Sequence, residues 1–489
     1  MLTSGAWKGS ERSVQKTGQA ETALGKNERE TKPLHEAGHR DRGWSTSTML
    51  IGLVALAVFE GFVALVDPAV PYMDTLHYLD VLYLTHSFGA WLVNSYSYGS
   101  QSGLIDAVFL FFNVQVLHLN ELAFCIAIGP VMFAMYFLLT RLVRARVVEL
   151  GLWGFLVVDA LLAMTLFNPA GWEIQTTSLG LAEYLFTTGY IAQFVWLTRI
   201  TRARRGKWEL CGFLLLNAII IDVVGMGAVY AFYGAEVGIC VVALMWMGAD
   251  RSRLVRLVGV LTVEIAVYAA ILHWLLTVPA TPLHLGPQQV PRILIALASA
   301  FSIGLNSGPG WNLSLGVVEV LVWCAGVWIC TRRRQYLGLI ILGLGLYAIG
   351  YAFEVSAARA VVTASRYYVA LDFMVCADII ACASVSGQAW RAMRRGQLLG
   401  IVGVTSIFAA ALFVITSYAL TTQQQFIEAP YRAAYFHTAA TYVCSGAVTK
   451  NLKHAEYLLE AASVGETKEA VDIMQIHHLG PFAPGGVCT

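Results

Sequence analysis

The chain has 489 residues, of which 57% are hydrophobic and only 13% charged, and its formal net charge is +1. A soluble globular chain carries about 25% charged residues, so a water-soluble globule is excluded and a mean hydropathy of +0.63 points to lipid as the main solvent. Near-neutrality also excludes a general nucleic-acid-binding surface, and no nucleic-acid partner is expected.

Residues 1–47 mix Ser, Thr, Glu, Lys and Arg without apolar periodicity and read as a disordered cytoplasmic tail. Arg40 and Arg42 precede the first span, 48–65, and place the N-terminus inside. The span is close to the roughly 20 residues that a hydrocarbon core requires. The first outer loop, 66–104, contains no Lys or Arg but holds Asp67, Asp74, Asp80, His77, His86 and a belt of aromatics. A loop of that length without positive charge belongs outside, and its aromatics suit the headgroup layer. The short apolar run 105–119, interrupted by Asn120 and Glu121, reads as an interfacial or re-entrant helix leading into the second span, 121–140.

Basic clusters then mark cytoplasmic ends. The second span closes on Arg141, Arg144 and Arg146; the third, 149–167, exits into a connection without Lys or Arg at 168–180. The fourth, 180–198, returns to Arg199, Arg202, Arg204, Arg205 and Lys207. Spans 209–230 and 235–248 close on Arg251, Arg253 and Arg256, and 257–277 leads to a Pro-rich outer loop. The run 292–306 is short, and a crossing there would export Arg332, Arg333 and Arg334 as well as Arg391, Arg394 and Arg395. It is therefore assigned as a half-helix on the outer side. Spans 312–331, 336–353, 368–386 and 398–417 complete an all-α polytopic membrane protein. About 11 transmembrane helices occupy the domain 48–417, with the N-terminus inside and the C-terminus outside. Residues 418–489, with a helical stretch around 450–475, form a small extracytoplasmic tail. The expected setting is a bacterial cytoplasmic (inner) membrane, with the bilayer as partner. The nine cysteines include no CxxC, and Cys324, Cys330, Cys376 and Cys382 fall inside apolar runs, as small core residues do.

Three outer segments converge on this topology: the first loop with Asp74, the 168–180 connection with Glu173, and the loop carrying Arg359 and Arg366. Seven residues apart, the two arginines share a face if they lie on one helix. They depart from the positive-inside pattern, and a phosphate headgroup is what an Arg fork holds well. The plainer reading is snorkelling to phospholipid. Asp74 suits a general base for a hydroxyl, against a helix N-cap as the plainer reading. Glu173 has interfacial anchoring as its plainer reading. Within the spans lie Glu60, Asp159, Asp222, Glu264, Glu319, Asp372 and Asp378, without Lys or Arg at comparable depth. Asp159, Asp222 and Glu264 lining a midplane cavity would make a transporter, against helix–helix hydrogen bonding as the plainer reading. No metal site is legible.

The order of elements, with LHLNELAF at 117–124, FNPAGWEIQ at 167–175 and ASRYY at 364–368, resembles the GT-C superfamily of multi-span glycosyltransferases and a group of uncharacterised bacterial multi-span proteins sharing that plan. The resemblance implies transfer of a sugar from a polyprenyl-phosphate donor to an acceptor at the outer face. Asp74 would be the first-loop catalytic base, and Glu173 would support the acceptor or a divalent cation. Arg366, with Arg359 as second choice, would hold the leaving phosphate. The chain departs from the plan where it reads Met73–Asp74–Thr75 in place of two adjacent acids, so a catalytically inactive scaffold stands beside the transferase and transporter readings.

Overall fold

The computed structural model describes residues 34–96, 103–147, 150–202, 207–224, 229–275, 286–302, 308–359, 363–394, 398–461 and 463–488. Most of the predicted N-terminal tail lies outside the described residues. The chain divides into two compact units, Met1–Ser45 and Thr46–Thr489. Residues 34–45 of the first are helical.

Among the described residues the second unit is all helix, without a strand. Span α1 (Thr46–Val66) leads into three short helices, α2 (Asp74–Leu84), α3 (Phe88–Tyr96) and α4 (Leu104–Leu117). Asn120 ends the short apolar run by accepting from the Ala123 N–H at 3.0 Å, capping α5 (Glu121–Ile126), which continues as α6 (Ile128–Arg146). Next come α7 (Gly151–Leu166), the one-turn α8 (Trp172–Gln175) and α9 (Leu179–Arg202). Then follow α10 (Lys207–Ala218), α11 (Val229–Trp246), α12 (Arg251–Ala270) and the short α13 (Gln289–Ser302) near the predicted half-helix. The chain ends with α14 (Pro309–Arg332), α15 (Leu337–Ala358), α16 (Tyr368–Arg394), α17 (Leu398–Cys444), α18 (Leu452–Leu459) and α19 (Val464–Ile476).

Nine helical stretches among the described residues are long and apolar enough to cross a membrane. Of the eleven runs expected from sequence, the two not among them are 180–198 and 209–230. The first is helix α9, which carries Thr, Gln and Tyr side chains buried against its neighbours. The second breaks into α10 and a π-helical turn at Ile219–Val224.

Helices α15 and α16 form the centre, each with 72% of its apolar window inside the protein, whereas α1 has 28% and faces outward. Small residues let α15 approach its neighbours closely. A Cβ on Gly345 would lie 2.1 Å from Trp323 Nε1, which donates to the Ile341 carbonyl at 2.9 Å, and one on Gly350 would lie 2.6 Å from the Ala231 Cβ. Tyr190 stacks on Phe232 at 4.2 Å between ring centres and meets Tyr347 at 5.1 Å, joining α9, α11 and α15.

Three basic turns meet at one end of the bundle. The Arg202 guanidinium lies 5.4 Å from the centre of the Tyr336 ring, and Arg202, Arg253 and Tyr336 line one cavity of about 150 Å³. The opposite end carries a cap that the sequence reading treats as a separate tail. Helix α17 is 47 residues long with Pro430 inside it, about 70 Å at 1.5 Å per residue, more than twice a hydrocarbon core of about 30 Å. It carries the chain out of the membrane, and a disulfide between Cys444 and Cys488 then closes α18 and α19 into a compact lobe. Ser463 starts α19 by accepting from the Glu466 N–H at 3.2 Å. The lobe packs on the first loop: Met73 N donates to the Leu459 carbonyl and Gly480 N to the His118 carbonyl, both at 2.9 Å. Tyr83 lies 4.3 Å from the His477 ring centre, and His437 Nε2 lies 3.0 Å from Asp67 Oδ2. Residues 418–488 are thus part of the main body, and the first loop is roofed by protein.

Candidate functional site

The capped end is built from five stretches of chain. Tyr72 Oη donates to the Glu173 carbonyl at 2.9 Å and lies 2.9 Å from Thr176 Oγ1, fixing the first loop to α8. The α8 turn is in turn tied to the 3₁₀ turn Ser365–Tyr367. Glu173 N donates to Ser365 Oγ at 3.3 Å, and Arg366 N donates to Glu173 Oε2 at 3.2 Å. Arg366 feels the charges of both Glu173 and Asp74, and its guanidinium lies 5.5 Å from the Tyr367 ring centre. Asp74 and Arg366 are exposed, and Glu173 is half-buried.

Asp74 is not the helix cap. That position belongs to Met73, at φ 57°, with its N–H held by Leu459. A non-glycine residue in such backbone costs on the order of 1–3 kcal/mol and persists where its surroundings over-determine it. Asp74 therefore sits in the first turn of α2, where the helix dipole favours its charge.

Arg359 does not join this group. It ends α15 in extended backbone, exposed, with its carbonyl accepting from the Arg292 guanidinium. The helical face it was expected to share with Arg366 does not form, because α15 stops at Ala358 and Arg366 lies on a separate turn. Val361, Val362 and Thr363 between them are β-branched and favour leaving a helix.

Arg432, on the part of α17 beyond residue 418, lies at this end instead of Arg359. Its guanidinium lies 4.3 Å over the Trp172 ring, pairs with Glu428 at 2.5 Å and feels Glu173. Burial draws its pKa below the usual guanidinium range, against the opposing pull of Glu428. The side chain is only 11% exposed, and Nη1 is buried without a hydrogen-bond partner. An orphaned buried guanidinium donor is costly unless something accepts from it. Glu460, at φ 49° beyond α18, completes the rim; burial raises its pKa, with Glu173 adding to the rise and Arg366 opposing it.

No protein-family model matches this chain, and no curated protein matches it in sequence. The site's chemistry is two guanidinium groups, Glu428 paired with one of them, exposed carboxylates at Asp74 and Glu460, and the Glu173 carboxylate anchored in the wall. Among the described residues no three His, Cys, Asp or Glu side chains lie close enough to hold a metal ion by themselves.

Of the three acids of the transporter reading, Asp159 and Glu264 each have partners of their own. Asp159 forms an ion pair with Arg144 and accepts from Thr48 Oγ1 at 2.9 Å, so it has the basic partner at depth that the sequence reading did not find. Glu264 accepts from Asn217 Nδ2 at 2.9 Å, and Asn217 also reaches Glu236 at 3.3 Å, a polar knot between α10, α11 and α12. The Asp222 side chain lies outside the described residues.

Proposed function

We propose that the capped end is the site of a GT-C-like glycosyltransferase that moves a sugar from a polyprenyl-phosphate donor to a hydroxyl acceptor at the outer face of the membrane. The observation that supports it is the unpartnered Nη1 of the buried Arg432, in the field of Glu173, which in turn holds the Arg366 turn. A phosphate is the anion that two planar guanidinium groups hold best. Asp74 accepts the acceptor's proton as the new oxygen–carbon bond forms at the sugar C1. The bond from C1 to the phosphate oxygen breaks, and the polyprenyl phosphate leaves with the electron pair. Arg366 and Arg432 offset its charge, while Glu173 positions the Arg366 turn.

The same reading takes α9 and the 209–230 stretch as crossings, giving about eleven, with the basic end in the cytoplasm and the cap outside. The Cys444–Cys488 disulfide supports that sidedness, since disulfides persist in oxidising compartments. A bacterial inner membrane is the setting this implies.

The test uses the full chain in nanodiscs and decaprenyl phosphate, the leaving group itself, as probe. Arg432→Ala and Arg366→Ala are each expected to weaken its binding at least tenfold. Binding that is indifferent to both overturns the phosphate site, and a wild-type chain that binds without ever transferring sugar is an inactive scaffold.

A further inference from the structure

A second feature lies at membrane depth and has no part in the reaction above. Helices α7, α14, α16 and α17 enclose a side-opening cleft of about 960 Å³. That is the size of a pocket for a drug-sized molecule. Its walls are apolar and aromatic, with Trp153, Val157, Phe408 and Phe413 among them. Among the described residues, the charged side chains on its lining are Glu319 and Asp378, with no Lys, Arg or His beside them.

These two acids are not explained by helix–helix hydrogen bonding. Glu319 is buried, and neither of its carboxyl oxygens has a hydrogen-bond partner. Oδ1 of Asp378 is likewise buried and unpartnered. The two carboxyls act on each other electrostatically, and Asp372, six residues before Asp378 on α16, acts on Glu319 as well. Asp159 and Glu264, by contrast, are supplied with donors, Arg144 and Thr48 for the first and Asn217 for the second. Here the described lining leaves acidic groups in an apolar wall and sets nothing positive beside them. An acid at such depth costs a few kcal/mol unless paired. A hydrocarbon chain fills the space and leaves the acids unpaired, and an anion is repelled.

We propose that this cleft binds a lipophilic cation, a positive nitrogen or phosphorus centre screened by aryl or alkyl groups, with Glu319 and Asp378 as its counter-charges. The aromatic walls add attraction for the cation's face and edges. The organic groups fill the volume that a simple ammonium ion leaves empty.

The full chain in phosphatidylcholine nanodiscs is titrated with tetraphenylphosphonium and, separately, with tetraphenylborate, which has nearly the same shape and the opposite charge. Saturable binding of the phosphonium alone is expected. Glu319→Gln and Asp378→Asn each weaken it at least tenfold, and Glu319→Asp retains it. Ala410→Trp, which narrows the cleft from an exposed lining position without touching either acid, also abolishes it. Equal binding of both ions identifies a lipid-chain cleft and overturns the proposal. So does phosphonium binding that survives both carboxamide variants or the Trp variant. Should a carboxamide variant fail to fold, the wild-type comparison of the two ions and the Trp variant still decide.

Discussion

The backbone N–H of Arg366 donates to Oε2 of Glu173 at 3.2 Å, across 193 residues of chain. That bond makes Glu173 part of the wall and leaves Asp74 as the exposed carboxylate of the two. Loss of a positioned general base costs about 10²–10⁴ in rate. Asp74→Asn is therefore expected to lower kcat by that factor with little change in KM. Glu173→Gln keeps an oxygen that can accept from Arg366 and loses less than tenfold. Release of polyprenyl phosphate from a polyprenyl-phosphate sugar in proteoliposomes measures both, and an Asp74→Asn enzyme of normal rate removes Asp74 from the reaction.

Arg432→Lys keeps the charge but loses the planar stack on Trp172 and the fork. An increase of about tenfold in the KM for the phosphate donor is expected, from a step of about 1.4 kcal/mol in binding. Steady-state kinetics with Lys and Ala side by side separate the fork from the charge. A Lys variant equal to wild type shows that charge alone suffices.

The cap depends on its crosslink. Closing a loop of 44 residues by a disulfide stabilises by about 4 kcal/mol in the chain-entropy view. Cys444→Ser is expected to make the 445–488 region accessible to protease while the spans stay folded. Limited proteolysis followed by mass mapping reads this directly, and equal resistance of wild type and variant counts against the crosslink as the staple.

Asp80 packs against α19 across from Glu466 and Glu469, and burial followed by those two charges pushes its carboxyl up to about 8. The folded protein thus holds a proton that the unfolded chain releases near the ordinary 3.8. Stability from this group is fully present below about 4 and declines as pH rises toward 8, because the native state binds the extra proton in that window. Asp80→Asn is expected to flatten the pH dependence of cap opening between those limits, and hydrogen exchange of α19 amides at several pH values is the measurement. An unchanged slope rules Asp80 out as its source.

Gly345 of α15 faces Trp323 of α14, and a methyl group there meets Trp323 Nε1. Overpacking of this kind costs about 1–3 kcal/mol. Gly345→Ala is expected to lower the thermal midpoint in detergent, whereas Gly61→Ala, where a Cβ meets nothing within 4 Å, is expected to leave it in place.

Much of the bundle was legible because apolar runs and basic clusters are long, one-dimensional signals, and the short helices of the first loop showed in its aromatics. The Asp74, Glu173 and Arg366 grouping was legible because a side of the membrane is a strong constraint on which loops can meet. The cap was not. Gln423, Gln424 and Gln425 look like the end of a span, and nothing in local hydropathy shows that α17 continues to Cys444 as an extramembrane helix. One signal was available: Glu428 and Arg432 stand four apart, the spacing of a helical ion pair. The Cys444–Cys488 link was hidden among nine cysteines without a motif. The Arg144–Asp159 pair was hidden because the arginine sits at the end of one span and the acid inside the next.

One helix joins the cleft and the capped end. Residues 407–414 of α17 form a wall of the midplane cleft, and the same helix bears Arg432 beyond the membrane. The 16 residue steps from Val414 to Pro430 make an arm of about 24 Å, so a tilt of a few degrees at the cleft displaces its tip by more than an ångström, just below Pro430, where the helix can kink before Arg432. Whatever wedges or empties the lower half of that arm is felt at its tip, as a mechanical linkage that needs no chain of intervening contacts.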